Sequence, residues 1–270
     1  MIDPLPYSML SLSATDLPTF VAAHRARTGP WFFHHIPKTA GSSLASEIQE
    51  GVGNYTNLVP EYSGGATGYE QSFVRLTEEA IAALQGPNPP RAFSGHLRAH
   101  HAVRFAEAVP GLRSFTFLRH PVARVLSEYN YCRTPAHPLM DEFIERFPTL
   151  EHYISVKTEM NKASRMMFGP MTETITPEDA VAEMNRRYVM VGLQERYPVS
   201  FLLLSTLVWE PSLPKKHLRV GVKTAQLPDA IVGRILEANP IDLALYDAVD
   251  AAYKRLAPTI WDSYRPNNSA

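Results

Sequence analysis

The sequence is short of several things that would place it quickly. It holds one cysteine, Cys132, in 270 residues, which excludes an internal disulfide framework and fits a reducing compartment. Residues 1–30 contain no long apolar run and carry Asp3, Pro4, Pro6, Asp16 and Pro18, so they resemble neither a signal peptide nor a membrane anchor. Neither charge dominates: 26 Lys and Arg stand against 27 Asp and Glu, a formal net charge of -1. There is thus no global basic footprint for duplex nucleic acid, and any phosphate or sulfate chemistry must rest on locally placed Lys and Arg. The expectation is a cytoplasmic protein with no nucleic-acid partner and no membrane span.

With 45% hydrophobic and 20% charged residues, the chain can bury a sizeable core, and one large domain is expected over 31–262, after an N-terminal extension (1–30) and before a short tail (263–270). No internal repeat is visible. After a short helix around Leu17 to Arg25, strand-like runs alternate with helical ones, the pattern of an α/β fold with a central, mainly parallel sheet flanked by helices. Trp31 to Ile36, Arg91 to Ser94, Ser114 to Leu118 and Tyr188 to Leu193 read as strands. Gly51 to Gly68, rich in Gly, Asn, Tyr and Ser, reads as a long loop, and Thr77 to Leu84 as a short helix stopped by "GPNPP". A helix is punctuated by Thr176 as cap, Pro177, Glu178 and Asp179 in its first turn, and Arg186 and Arg187 in its last. Tyr197 to Trp209 is a long apolar helix, and two more follow at about Pro228 to Ala238 and Ile241 to Leu256.

Chemistry gathers where strands end. In "WFFHHIPKTAGSSL", residues 31–44, a strand runs into Pro, Lys, Thr, Ala, Gly, Ser and Ser before helical spacing resumes. Glycine among small residues lets the backbone approach a ligand, the N-H groups of the following helix attract an anion, and Lys38 adds a mobile charge. This is the physics of a phosphate cradle but not a Walker loop, because the lysine precedes the glycine and no Asp ends a later strand candidate to complete a magnesium site. The plainer alternative is a strand-to-helix turn with a capping serine.

The second stretch, "RHPVARVLSEYNY", follows the strand "SFTFL". Pro121 suits a first helical position, and Val122, Val125, Leu126 and Tyr129 fall on one helical face. Arg119 at the strand end and Ser127, about 9 Å along the helix, have the placement to grip one phosphate from two sides. Arg124 either joins them or forms a solvated pair with Glu128 at i+4. Three strands thus end in polar loops, "PKTAGSS", "SGH" and "LRHP", and in an open parallel sheet ligands collect outside the carboxyl ends.

These residues carry a family resemblance. "FHHIPKTAGSSL" resembles the 5'-phosphosulfate loop, and "FTFLRHPVARVLSEYNY" the 3'-phosphate segment, of sulfotransferases that use 3'-phosphoadenosine 5'-phosphosulfate (PAPS), in particular the carbohydrate sulfotransferases related to heparan sulfate 2-O-sulfotransferase and their bacterial members. "NKASRMMFG", "VGLQERYPVSFLLL" and "NPIDLALYDAV" share the look, so that the resemblance spans about Trp31 to Tyr253. It implies a sulfotransferase fold with a P-loop-like nucleotide cradle. It also implies that Lys38 and the backbone from Thr39 through Ala40, Gly41, Ser42 and Ser43 hold the phosphosulfate. Arg119 and Ser127 would hold the 3'-phosphate, and His96 of "SGHL" would be the acceptor base. His120 departs from the family, which often has an acidic residue after the arginine.

The implied activity is transfer of a sulfuryl group from PAPS to a hydroxyl, on a glycan or lipid-linked sugar, with sulfation of a peptide tyrosine as an alternative. That chemistry needs an in-line hydroxyl, a base titrating near neutrality, and positive charge on the leaving oxygen. A nucleotide-dependent kinase and a non-catalytic nucleotide-binding protein are the readings from other classes. No metal is expected: His34 and His35 are neighbours on a strand and face opposite sides, and His96 and His100 have i, i+4 zinc spacing without an evident acidic third ligand. His100 and His101 are the next candidates for the base. Asn161 and Arg165 either face the acceptor cleft or solvate a helix, Lys223 and Thr224 would close over the nucleotide, and Tyr55, Tyr62, Tyr69 and Arg75 stand near the loop expected to select the acceptor.

Overall fold

Five strands, β1 (Trp31–His34), β2 (Tyr55–Leu58), β3 (Ala92–Gly95), β4 (Arg113–Leu118) and β5 (Met190–Leu193), pair in the order β2-β3-β1-β4-β5. Every pair is parallel. The structure, a computed structural model, describes residues 8–60, 65–215 and 227–264. Its helices are α1 (Leu17–Ala26), α2 (Gly41–Val52), α3 (Gly65–Leu84), α4 (Ala99–Ala108), α5 (Pro121–Cys132), α6 (Met140–Arg146), α7 (Leu150–Ser155), α8 (Lys162–Phe168), α9 (Pro177–Arg187), α10 (Tyr197–Val208), α11 (Asp229–Ala238) and α12 (Pro240–Tyr264).

Phe32 and Phe33 show how the layers arise, since successive side chains on a strand face opposite ways. Phe32 stacks on Phe93, ring centroids 4.8 Å apart, in a cluster with Leu58 of β2, Phe73, Ile81 and Leu84 of α3 and Phe105 of α4. Phe33 stacks on Phe115 at 5.2 Å, in the larger cluster formed with Leu44 and Ile48 of α2, α10, and Leu245, Val249 and Leu256 of α12. Every residue of α10 from Val199 to Val208 is buried, as expected of a helix that is apolar all round. Met9, Leu12, Leu17 and Phe20 join this second cluster, and the backbone N-H of Met9 donates to the Val189 carbonyl at 2.9 Å.

The α/β class and the four apolar strands agree with the sequence reading. The region read as one long loop does not: it contains β2 and the start of α3. Thr56 and Asn57 of β2 are exposed, so it lacks the apolar run that marks a strand buried on both faces. α3 is 20 residues long, beginning in glycine- and threonine-rich sequence that propensity disfavours; the burial of Phe73, Ile81 and Leu84 holds it. The punctuation of α9 is as read, with Thr176 Oγ1 accepting from the Asp179 N-H at 3.1 Å.

From β1 the chain passes to β2 on one side, and from β4 to β5 on the other. The carboxyl ends of β1 and β4 therefore flank a topological switch point, where a crevice opens in such sheets. Among the described residues no helix is long and apolar enough to cross a membrane.

Candidate functional site

The loop leaving β1 is bent by two residues of positive φ that are not glycine, Lys38 (69°) and Ala40 (76°). Such backbone is uncommon for residues with a Cβ and stores strain of order 1–3 kcal/mol each. Between them Thr39 is fully buried, its Oγ1 donating to the Ile36 carbonyl at 2.7 Å. The bend delivers the chain into α2, whose first turn holds neither a side-chain cap nor an acidic residue. The N-H groups of Gly41, Ser42 and Ser43 therefore open the helix without intrahelical partners. Ser43 is half-buried, and the side chain of Ser42 lies outside the described residues.

Gly41 is glycine for a reason the sequence reading did not contain. A Cβ there would stand 1.4 Å from Nε2 of His35. A buried imidazole, not a ligand, takes up that space. His35 in turn stacks on Phe33 at 5.0 Å, while His34 stacks on Phe32 at 5.5 Å, so the two histidines do face opposite sides of the sheet. His34 is fixed by the Tyr188 hydroxyl on Nδ1 and by donation from Nε2 to the Leu97 carbonyl, both at 2.7 Å. Burial depresses its pKa to about 4.

Across the switch point, Arg119 follows β4 and its Nη1 donates to the carbonyl of Lys38 at 3.4 Å. The two sequence segments, 81 residues apart, thus meet. α5 starts with Pro121 and, like α2, has neither a side-chain cap nor an acidic first turn. Ser127 is half-buried on this helix and among the described residues its hydroxyl makes no hydrogen bond. The Lys38 ammonium rests 3.8 Å from the ring centroid of Tyr131, one turn beyond Ser127.

His96 comes from the end of β3, on the other side of β1. Its Nδ1 lies 2.9 Å from the carbonyl of His35, and a carbonyl only accepts, so Nδ1 carries the proton and Nε2 of the neutral ring carries the lone pair. The ring packs on that of His35, centroids 3.8 Å apart. Burial lowers its pKa; the bond to His35 and the Glu128 carboxylate act the other way, and Lys38 lowers it further.

Below this layer lies a buried ion network. Arg124 is not the solvated residue of one sequence reading: it is 1% exposed, donates from Nη1 to Glu128 at 2.7 Å, and has Asp242 at 3.9 Å. Lys162 meets Glu128 at 2.8 Å and Glu159 at 2.8 Å. Burial alone would raise the Glu128 pKa, but Lys162 and Arg124 outweigh it and hold the carboxyl at about 2. The network fixes α5, and with it Ser127, against α8 and α12.

Asn161 belongs to this frame, not to a cleft. Its Oδ1 accepts from the N-H groups of Ile241 and Asp242 at 3.0 and 3.2 Å, while Asp242 accepts from those of Ala163 and Ser164 at 3.0 and 2.8 Å. Each residue caps the other's helix. Arg165 donates to the Met160 carbonyl and pairs with Glu173. Tyr55 bonds the hydroxyl of Ser94, and Arg75 pairs with Glu79 at 3.2 Å. Tyr62, Lys223, Thr224 and the side chain of Tyr69 lie outside the described residues.

Two residues of the site were missed. Tyr131 is the last letter of the quoted "SEYNY", and its i+4 step from Ser127 was the available signal. Glu195 stands just past β5, accepts the N-H of His120 at 3.0 Å, and opposes in part the lowering of the Arg119 pKa by burial. An acidic group therefore borders Arg119 and His120, supplied by the turn that follows β5.

No protein-family model matches the chain. No curated protein matches it either. Among solved structures it is similar to mouse sulfotransferase SULT7A1 complexed with PAP, at 14% sequence identity and a TM-score of 0.37, over 84% of this chain and 70% of that one.

Proposed function

We propose that this protein transfers a sulfuryl group from PAPS to an acceptor hydroxyl, on a glycan or lipid-linked sugar. The observation that carries the reading is the meeting of Arg119 with the backbone of Lys38 across the switch point. It joins two donor-lined segments into one clasp that suits a ligand with phosphate at both ends. The residues fit such a ligand: an uncapped helix start behind a strained loop, Lys38, Arg119 and the Ser127 hydroxyl offer donors, with no acidic residue in either first turn.

In this reading the N-H groups from Thr39 to Ser43 and Lys38 hold the 5'-phosphosulfate, and Arg119 and Ser127 hold the 3'-phosphate. Nε2 of His96 takes the proton of the acceptor hydroxyl as its oxygen bonds to sulfur. The sulfur-oxygen bond to the 5'-phosphate breaks, its electron pair stays on the phosphate oxygen, and Lys38 meets the charge that develops there. Tyr131 keeps the ammonium at hand without neutralising it.

The test is to mix the protein with PAPS and a panel of glycans, lipid-linked sugars and tyrosine peptides, and to measure release of adenosine 3',5'-bisphosphate. Acceptor-dependent release with a glycan or lipid-linked sugar is expected. Release with tyrosine peptides alone would replace the acceptor class. Phosphate transfer from magnesium-ATP with no release from PAPS would replace the reaction.

A further inference from the structure

A second cluster lies away from the crevice, between α3 and α4. Oε1 of Glu70 on α3 is 3.5 Å from Nε2 of His100 and 3.8 Å from Nε2 of His101, both on α4. One ligand atom from each of the three residues lies within 4.8 Å of those of the other two. Sequence spacing alone pairs His100 with His96 across one helical turn; the fold sends His96 to the crevice and gives His100 its neighbour and a carboxylate from 30 residues upstream.

The state of His101 is fixed by its other nitrogen. Thr77 Oγ1 donates its one proton to the Phe73 carbonyl at 2.7 Å, so toward His101 Nδ1, 3.2 Å away, it only accepts. Nδ1 of His101 therefore carries the hydrogen and Nε2 the lone pair. The residue is 3% exposed, and that Nε2 is buried without a hydrogen-bond partner. A buried lone pair facing a carboxylate oxygen beyond hydrogen-bond reach is unfavourable unless a cation lies between them. Arg98 pairs with the other oxygen of Glu70, Oε2, at 3.1 Å, which turns Oε1 toward the histidines.

We propose that Glu70, His100 and His101 form a binding site for a divalent transition-metal ion of the zinc class, clamping α3 to α4. Zinc holds imidazole nitrogen and carboxylate oxygen at about 2.0–2.2 Å in tetrahedral geometry, which puts ligand atoms roughly 3.4 Å apart, close to the two separations found. A hydrogen bond from the second imidazole nitrogen, as His101 makes to Thr77, is the usual support of a metal-bound histidine. His100 is exposed and lines, with His101, Thr77, Glu78 and Arg104, a cavity of about 320 Å³, through which the ion and a water ligand can enter. Magnesium and calcium, which prefer oxygen ligands, do not suit two imidazoles.

Zinc titrated calorimetrically into the full chain, after chelator treatment, is expected to bind saturably at one ion per chain. Cobalt is expected to give the intensified visible absorption of a site with fewer than six ligands. Glu70→Gln and His100→Ala should each abolish that saturable binding, with circular dichroism and melting in the absence of metal close to the parent. His100 is exposed, so its variant keeps the test clean even if the Glu70→Gln protein were to fold poorly. Absence of one-to-one binding, binding indifferent to both substitutions, or magnesium binding as tightly as zinc would each overturn the proposal.

Discussion

The imidazole of His96 lies against that of His35, centroids 3.8 Å apart, and its Nδ1 donates to the carbonyl of that same residue at 2.9 Å. His35 in turn fills the space beside Gly41 at the start of α2. The orientation of the proposed base is thus coupled through one buried ring to the start of the helix proposed to hold the phosphosulfate.

His96→Ala should reduce turnover by about 100- to 10,000-fold, the range of a general base, while bisphosphate affinity and melting temperature stay near the parent. A buried structural histidine would instead lose stability and cofactor binding together. The neutral ring is the active form and burial lowers its pKa below 6.5, so kcat/KM should hold as pH falls through 6.5, decline only below that, and show no such limb in the variant.

Adenosine 3',5'-bisphosphate should raise the melting temperature more than AMP does, because only the first ligand engages both segments. Arg119→Ala should remove most of the difference without unfolding the protein. Equal shifts for both ligands with the parent would dismiss the two-ended clasp.

Lys38→Ala should lower the single-turnover rate more than it weakens binding of the desulfated product, since its charge matters most as the leaving oxygen becomes negative. Tyr131→Leu should act in the same direction and more mildly, through the ammonium it holds. If rate and product affinity drop by one common factor, Lys38 only binds.

Glu128→Gln should destabilise the protein by about 3–5 kcal/mol, the range for breaking one partner out of a buried ion pair. The folded pKa of about 2 lies under the ordinary 4.5, so the parent's advantage is full above pH 4.5 and fades as pH falls toward 2. Denaturant melts at about pH 7 and about pH 3 should therefore show the gap between the two proteins narrowing in acid.

Gly41→Ala should cost about 1–3 kcal/mol or more by overpacking, because the new methyl would meet the His35 ring. Adding His35→Ala should return part of that loss. Strict additivity in the double-mutant cycle would mean that the two positions do not share the space.

The strands that are buried on both faces were legible because burial of both sides leaves an apolar run; β2 was not, because Thr56 and Asn57 face solvent and break that run, whereas β5, equally at a sheet edge, is buried throughout. The two loops that meet at the switch point were legible for a similar reason: "PKTAGSS" and "LRHP" are local, and local sequence states which polar groups end a strand. What escaped depends on groups that only the folded chain brings together. The neighbour that reserves the place of Gly41 precedes it by six residues across a bend, Glu195 reaches His120 from the turn after β5, and Glu70 approaches α4 from α3. The sequence left Arg124 open between the phosphate segment and a solvated pair with Glu128, because i, i+4 spacing looks the same whether α5 faces water or, as here, Asp242 and Lys162; the pair forms, but buried.

The exchange of caps between Asn161 and Asp242 has a consequence for how the chain becomes ordered. The amides of Ala163 and Ser164 are satisfied only when α12 has docked, and those of Ile241 and Asp242 only when α8 has. Neither helix can fray at its start on its own, so these four amides should exchange with deuterium at one common rate, set by a single concerted opening of both elements.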